Sequence, residues 1–132
     1  MPKLSTHPCL PYLSSLCSLI FLAFGATYIL SPRTGYTLYG FSSGPATPSD
    51  WAIMERIMVL YGAKDVFVGV AIACTTWVGT RKSAGVVLVA AGLCAGVDGW
   101  VVQSEAGRGA WNHWGYGSLM GVLGCVVGGV LG

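Results

Sequence analysis

Tyr61-Gly62-Ala63-Lys64-Asp65-Val66-Phe67-Val68-Gly69 sets a lysine beside an aspartate inside a run that is mostly apolar from Ala52 to Val78. Such a run exceeds the roughly 20 residues that carry a helix across a bilayer. An ionisable side chain at bilayer depth costs about 2.5–3.5 kcal/mol on insertion scales, so it faces a protein interior or a wet cavity. Lys64 and Asp65 therefore need company from other segments. The stretch predicts a membrane bundle with a polar interior.

Composition agrees. Of 132 residues, 54% are hydrophobic and 9% charged, against about 25% charged in soluble domains. That is too few to clothe a water-facing surface. The net charge of +2 comes with no Lys/Arg cluster beyond Arg81-Lys82, which leaves no nucleic-acid signal. The five cysteines, Cys9, Cys17, Cys74, Cys94 and Cys125, show neither C-x-x-C nor paired spacing, so neither a disulfide framework nor a metal site is expected. No cofactor is expected either, because no phosphate-binding glycine motif is present.

Outward from Lys64, the chain divides into a single domain, 1–132, with spans at about 12–30, 52–78, 84–102 and 113–131. The predicted fold is an all-α four-helix transmembrane bundle. The segment 1–11 is expected to be irregular. The first apolar run continues into Tyr28-Ile29-Leu30, longer than a signal-peptide core of about 7–15 residues, and reads as a span. Ser31 to Ser49, with three prolines and three glycines, reads as a loop whose aromatics sit among headgroups. Ser49 or Asp50 is the expected cap of the second span. Gly92-x-x-x-Gly96, Gly117-x-x-x-Gly121 and Gly124-x-x-x-Gly128 are spacings that let helix backbones approach in lipid.

Four spans put both termini on one side. Lys3, Arg81 and Lys82 fall there, while Arg33, Arg56 and Arg108 fall opposite. The tally is nearly level, and the short loop carrying Arg81-Lys82 tips it toward cytosolic termini. Endoplasmic reticulum is the expected membrane.

On this topology Lys64 and Asp65 lie near the midplane, Asp98 of span three about 8 Å below the non-terminal surface, and His113 at its mouth. One polar funnel opening on that side would gather them. Tyr61 stands at i−3 to Lys64 and i−4 to Asp65, on their flank. Asp98 has no basic neighbour in its own span. Two carboxylates in unlike settings divide acid from base, so the catalytic expectation is Asp65 as base, Asp98 as acid, Lys64 as electrostatic partner, and Tyr61 and His113 as donors that orient substrate. Asn112, Gln103 and Arg56 are expected to line the substrate path. Gly62 and Gly69 bracket the pair and would admit a neighbouring helix or a ligand. Against this stands a plainer reading, in which the buried charges pair only to specify assembly.

"GAKDVFVG" in span two, "GVDGW" at the end of span three and "GRGAWNHWGYG" opening span four resemble a family of small fungal four-span membrane proteins. Members of that family are often encoded in secondary-metabolite gene clusters. More distantly the layout is similar to the DoxX-like membrane proteins. Lys64, Asp65, Asp98 and His113 match the family's signature positions. The resemblance implies an enzyme of polyketide or terpenoid pathways that opens epoxides, cyclises or isomerises a hydrophobic substrate. The expected partners are the lipid bilayer, that small molecule, and either a second copy or a biosynthetic enzyme. A non-catalytic assembly or ligand-binding protein is the alternative. A small proton-coupled transporter ranks last, because the first span lacks the carboxylate such exporters carry there.

Overall fold

The computed structural model describes residues 4–41 and 43–131, and the regular structure among them is helical. A short 3-10 turn, Leu4–Thr6, precedes α1 (Leu10–Leu30), α2 (Pro32–Tyr39), α3 (Pro48–Trp77), α4 (Arg81–Ala106) and α5 (Trp111–Val127). Lys3, counted in the orientation tally, lies outside the described residues.

Three of these, α1, α3 and α4, are long and apolar enough to cross a membrane. The fourth expected span corresponds to α5, whose 17 residues rise about 25 Å, a little short of a hydrocarbon core of about 30 Å. By contrast α3, with 30 residues, rises about 45 Å and must project beyond the core.

The helix starts follow from local chemistry. Pro48 takes the first position of α3, where no N–H is required. Thr47 accepts from the Asp50 amide and the Asp50 carboxylate accepts from the Thr47 amide, both at 3.2 Å. The cap is therefore Thr47, not Ser49 or Asp50, and the helix begins four residues earlier than expected. Thr80 and Ser83 make the equivalent reciprocal pair at the start of α4. That helix runs on to Ala106 and ends at Gly107, whose φ of 65° lies in the left-handed region that favours glycine. The expected turn over Gln103–Asn112 shrinks accordingly.

The segment expected as a loop, Ser31 to Ser49, contains α2. Pro32 opens this helix and Gly40, at φ 104°, closes it. Gly35, Tyr36 and Tyr39 fall on one face and are buried, while Arg33, Thr34 and Thr37 stay exposed. Its tyrosines turn inward and are buried. They pack with Tyr28, Met58 and Val102 in a core cluster of their own.

Packing pairs α1 along α3 and α4 along α5, with α3 and α4 joining the pairs; α1 and α5 meet at few positions. Close approach is made by glycine. A Cβ on Gly25 would stand 2.8 Å from the Gly62 oxygen, and one on Gly92 2.6 Å from the Gly117 oxygen. Gly62 and Gly69 thus admit α1. Of the predicted spacings, Gly92, Gly117 and Gly124 sit in the α4–α5 contact, whereas Gly96 and Gly121 face open space. Ile72, Leu88, Ala91, Ala95 and Met120 fill the centre, and Phe67, Val86 and Leu93 point outward, as lipid-facing side chains do.

Candidate functional site

Lys64 on α3 holds the site together. Its Nζ lies 3.3 Å from Asp65 Oδ1 and 3.5 Å from Asp98 Oδ2 on α4. The same ammonium sits 3.6 Å from the centroid of the Tyr61 ring, one turn back on α3, where the ring face attracts a cation. One cation thus serves two carboxylates and a π-face. The Asp65 side chain is 7% exposed, that of Asp98 17% and that of Lys64 34%. Asp98, which lacks a basic neighbour in its own helix, finds one across the α3–α4 contact. The expected unpaired acid is paired.

Phenols surround this cluster. The Tyr39 hydroxyl donates to that of Tyr61 at 3.0 Å, and Tyr61 and Asp98 line the same cavity. The Tyr28 ring meets the Tyr61 ring edge-on at 6.1 Å. His113, in the first turn of α5, is 6% exposed. Its Nδ1 lies 2.8 Å from the Tyr116 hydroxyl and its Nε2 3.0 Å from the backbone oxygen of Tyr39. Both ring nitrogens are engaged by protein groups. His113 is therefore not a free donor for a substrate at an open mouth: α2 lies across that mouth, and His113 fastens it there.

A cavity of about 400 Å³ opens from the cluster. Asp65, Asp98, Tyr61, Asn112, Tyr39 and Tyr116 form its polar end, and Cys17, Phe21, Phe24 and Met120 its apolar end. It runs along α1 from Tyr28 to Cys17, about 16 Å at the helical rise. The funnel expected to widen toward the aqueous surface instead extends into the apolar body of the bundle. A second hollow of about 260 Å³ at the other end of the molecule is bordered by His7, Ser14, Thr76 and Arg81, without a carboxylate.

Of the expected site residues, Tyr61, Asp65, Asp98 and His113 line the large cavity, Lys64 joins them by ion pairs, and Asn112 lies at the rim. Arg56 and Gln103 do not belong. Arg56 borders a shallow outer depression with Pro32 and Glu55, and Gln103 is exposed on the last turns of α4. Neither faces the carboxylates, because helical rotation turns both outward. Tyr28, Tyr39 and Tyr116 were missed. Tyr116 had a signal, its i+3 spacing from His113; Tyr39 had none while α2 read as a loop.

A helical bundle with three apolar spans around buried ionisable groups is a multi-pass membrane protein. The chain belongs to the DUF4267 family, a domain of unknown function, which matches residues 18–127 and so takes in every helix that contributes to the cluster. No curated protein and no solved structure matches it.

Proposed function

We propose that this protein is a four-span, membrane-embedded acid–base enzyme acting on a hydrophobic small molecule, by epoxide opening, cyclisation or isomerisation. One observation carries the reading: Asp65 and Asp98 share a single ammonium on the wall of a cavity that is apolar over the rest of its length. Excluding water from such a site strengthens every charge interaction within it.

The proton balance is simple. In epoxide opening, Asp65 takes a proton from water as the water oxygen bonds to carbon and the ring C–O bond breaks. Asp98, which enters the step as the carboxylic acid while Asp65 is the carboxylate paired with Lys64, gives its proton to the released oxygen. Proton exchange between the two carboxyl groups then restores the start. In an isomerisation the proton leaves one substrate carbon and returns at another atom of the same molecule. Lys64 keeps the carboxylates in register throughout. Pairing within one chain, around an internal cavity, weighs against charges that serve only to recruit a partner.

The fourth crossing would be α5, which packs along α4 and returns the chain to the side of α1's start. Arg81 and Lys82, at the α3–α4 turn on that side, favour cytosolic termini. The resemblance to fungal secondary-metabolite proteins adds the endoplasmic reticulum and a polyketide or terpenoid substrate to the proposal. Reporters at the two ends are expected on the same side of the membrane; opposite sides would mean three crossings.

The test of the chemistry is metabolite profiling of the host with Asp65→Asn and Asp98→Asn, with the membrane protein quantified in parallel. Loss of one product and accumulation of its precursor at constant protein level is the expected result. Unchanged turnover in both variants would sink the enzyme reading.

A further inference from the structure

The two ends of the large cavity differ in what closes them. The polar end is covered by α2, through the bond from His113 to the Tyr39 oxygen and the contact between the Tyr39 and Tyr61 hydroxyls. Asn112, Tyr116 and Leu38 nonetheless line the cavity there and are exposed, so water reaches the polar end beside α2. The flank between α1 and α5 is different, since those helices meet at few positions. There Ile20, Phe24 and Leu119 line the cavity and are also 42%, 38% and 62% exposed on the outer face. A residue that touches both the cavity and the outside marks a rim. On this α1–α5 flank the rim is apolar and faces where lipid chains lie, whereas the rim at the polar end carries Asn112 and Tyr116.

From this geometry we infer that the cavity is loaded sideways from the bilayer, through the gap between α1 and α5. Its occupant is an uncharged amphiphile, apolar along most of its length, with its oxygen function at one end. The inference rests on the enzyme reading only for the fate of that oxygen; binding and entry stand without it.

Three features select this occupant. A charged ligand taking the α1–α5 route would have to pass an apolar, lipid-facing rim, which is costly. A cationic head has no vacancy to fill, because Lys64 already stands between Asp65 and Asp98, and an anionic head would meet both carboxylates. An uncharged oxygen instead finds the phenols of Tyr61, Tyr39 and Tyr116 at the polar end. The Tyr39 and Tyr116 protons are engaged within the protein, but the phenol oxygens still accept, as a ligand hydroxyl requires. The remaining length, about 16 Å from Tyr28 to Cys17 along α1, is walled by Phe21, Phe24 and Met120. A volume of about 400 Å³ lies at the small end of the range for sites that enclose a small organic ligand.

The experiment is photolabelling of the full chain in lipid nanodiscs with dodecanol that carries a diazirine on its chain. Dodecyl phosphate with the same diazirine is the charged control, and the labelled residues are mapped by mass spectrometry. Dodecanol is expected to label Phe21, Cys17 or Met120 in preference to the lipid-facing Phe67 and Val86, and excess unlabelled dodecanol to compete. Leu119→Trp and, on the opposite rim, Ile20→Trp are each expected to lower cavity labelling about tenfold, while Phe67→Trp leaves it unchanged. All three positions are exposed, so the core is undisturbed. Labelling spread evenly over the outer face would overturn the site. Cavity labelling that both rim variants leave intact would overturn the entry route, and equal labelling by the phosphate would overturn the uncharged occupant. Because labelling needs no turnover, its outcome is independent of whether Asp65 and Asp98 prove catalytic.

Discussion

His113 Nε2 lies 3.0 Å from the backbone oxygen of Tyr39, and that bond crosses from α5 to α2. A carbonyl can only accept, so Nε2 carries the imidazole proton and Nδ1 is left to accept from the Tyr116 hydroxyl at 2.8 Å. The tautomer follows from the partners. One side chain thereby fixes both the helix that covers the polar end and a phenol that lines it.

His113→Ala should loosen α2 without unfolding the bundle. A hydrogen bond of this kind contributes about 0.5–1.5 kcal/mol net, so amide exchange across Pro32–Tyr39 is expected to rise about three- to tenfold. Exchange in α1 and α3 should hold. Hydrogen exchange with mass spectrometry reads both. An α2 that exchanges no faster in the variant would show that the tyrosine cluster alone holds it.

The shared ammonium makes Lys64 the most sensitive of the three charges. Lys64→Met strands two carboxylates, and breaking a buried pair costs about 3–5 kcal/mol, less here because a third of the Lys64 side chain is exposed. Removing one stranded carboxylate should relieve part of the damage. The double variant Lys64→Met with Asp98→Asn is therefore expected to melt above Lys64→Met alone, with a coupling of about 0.5–3 kcal/mol. Thermal melting of the four proteins in detergent measures the cycle. Strict additivity would mean that the 3.5 Å contact has no energetic content.

The ionisable part of this site was legible because membrane helices advertise it. Lys64, Asp65 and Asp98 stand out in apolar runs, and the need to avoid lipid brings them together. What pairs with what was less legible. Asp98 had no partner within its own helix, and a contact made across α3 and α4 leaves no spacing to read. The cover over the site was lost for another reason. Prolines and glycines in Ser31 to Ser49 read as loop composition, although Pro32 and Gly40 stand where a short helix starts and stops. With α2 unread, Tyr39 could not be a candidate, and the cavity was expected to open toward water.

Two glycine positions separate packing from mere glycine content. Gly92 and Gly96 share one G-x-x-x-G spacing, yet a Cβ would meet the Gly117 oxygen at 2.6 Å in the first case and nothing within 4 Å in the second. The obstacle at Gly92 is backbone, which cannot rotate away. Gly92→Ala is expected to force α4 from α5 at a cost of about 1–3 kcal/mol, and Gly96→Ala to be neutral or slightly stabilising, since alanine favours helix. Equal melting temperatures for the two variants would mean that the α4–α5 contact is looser than these distances.

The phenols make the last prediction, and the residues excluded from the site provide its control. Burial lifts the Tyr39 phenol well above an ordinary tyrosine, so it stays protonated and able to donate at neutral pH. It donates to Tyr61, which lines the cavity beside Asp98. Tyr39→Phe keeps the ring against Phe41 and His113 and removes only the hydroxyl. If that hydroxyl supports proton delivery by Asp98, product formation falls about tenfold or more, within the range seen when one preorganised donor is lost, at unchanged protein level. Arg56→Ala and Gln103→Ala should leave product formation alone, because neither side chain reaches the cavity. Profiles in which Arg56→Ala or Gln103→Ala loses product and Tyr39→Phe does not would move the chemistry away from the carboxylates, to the outer surface of α3 or the end of α4.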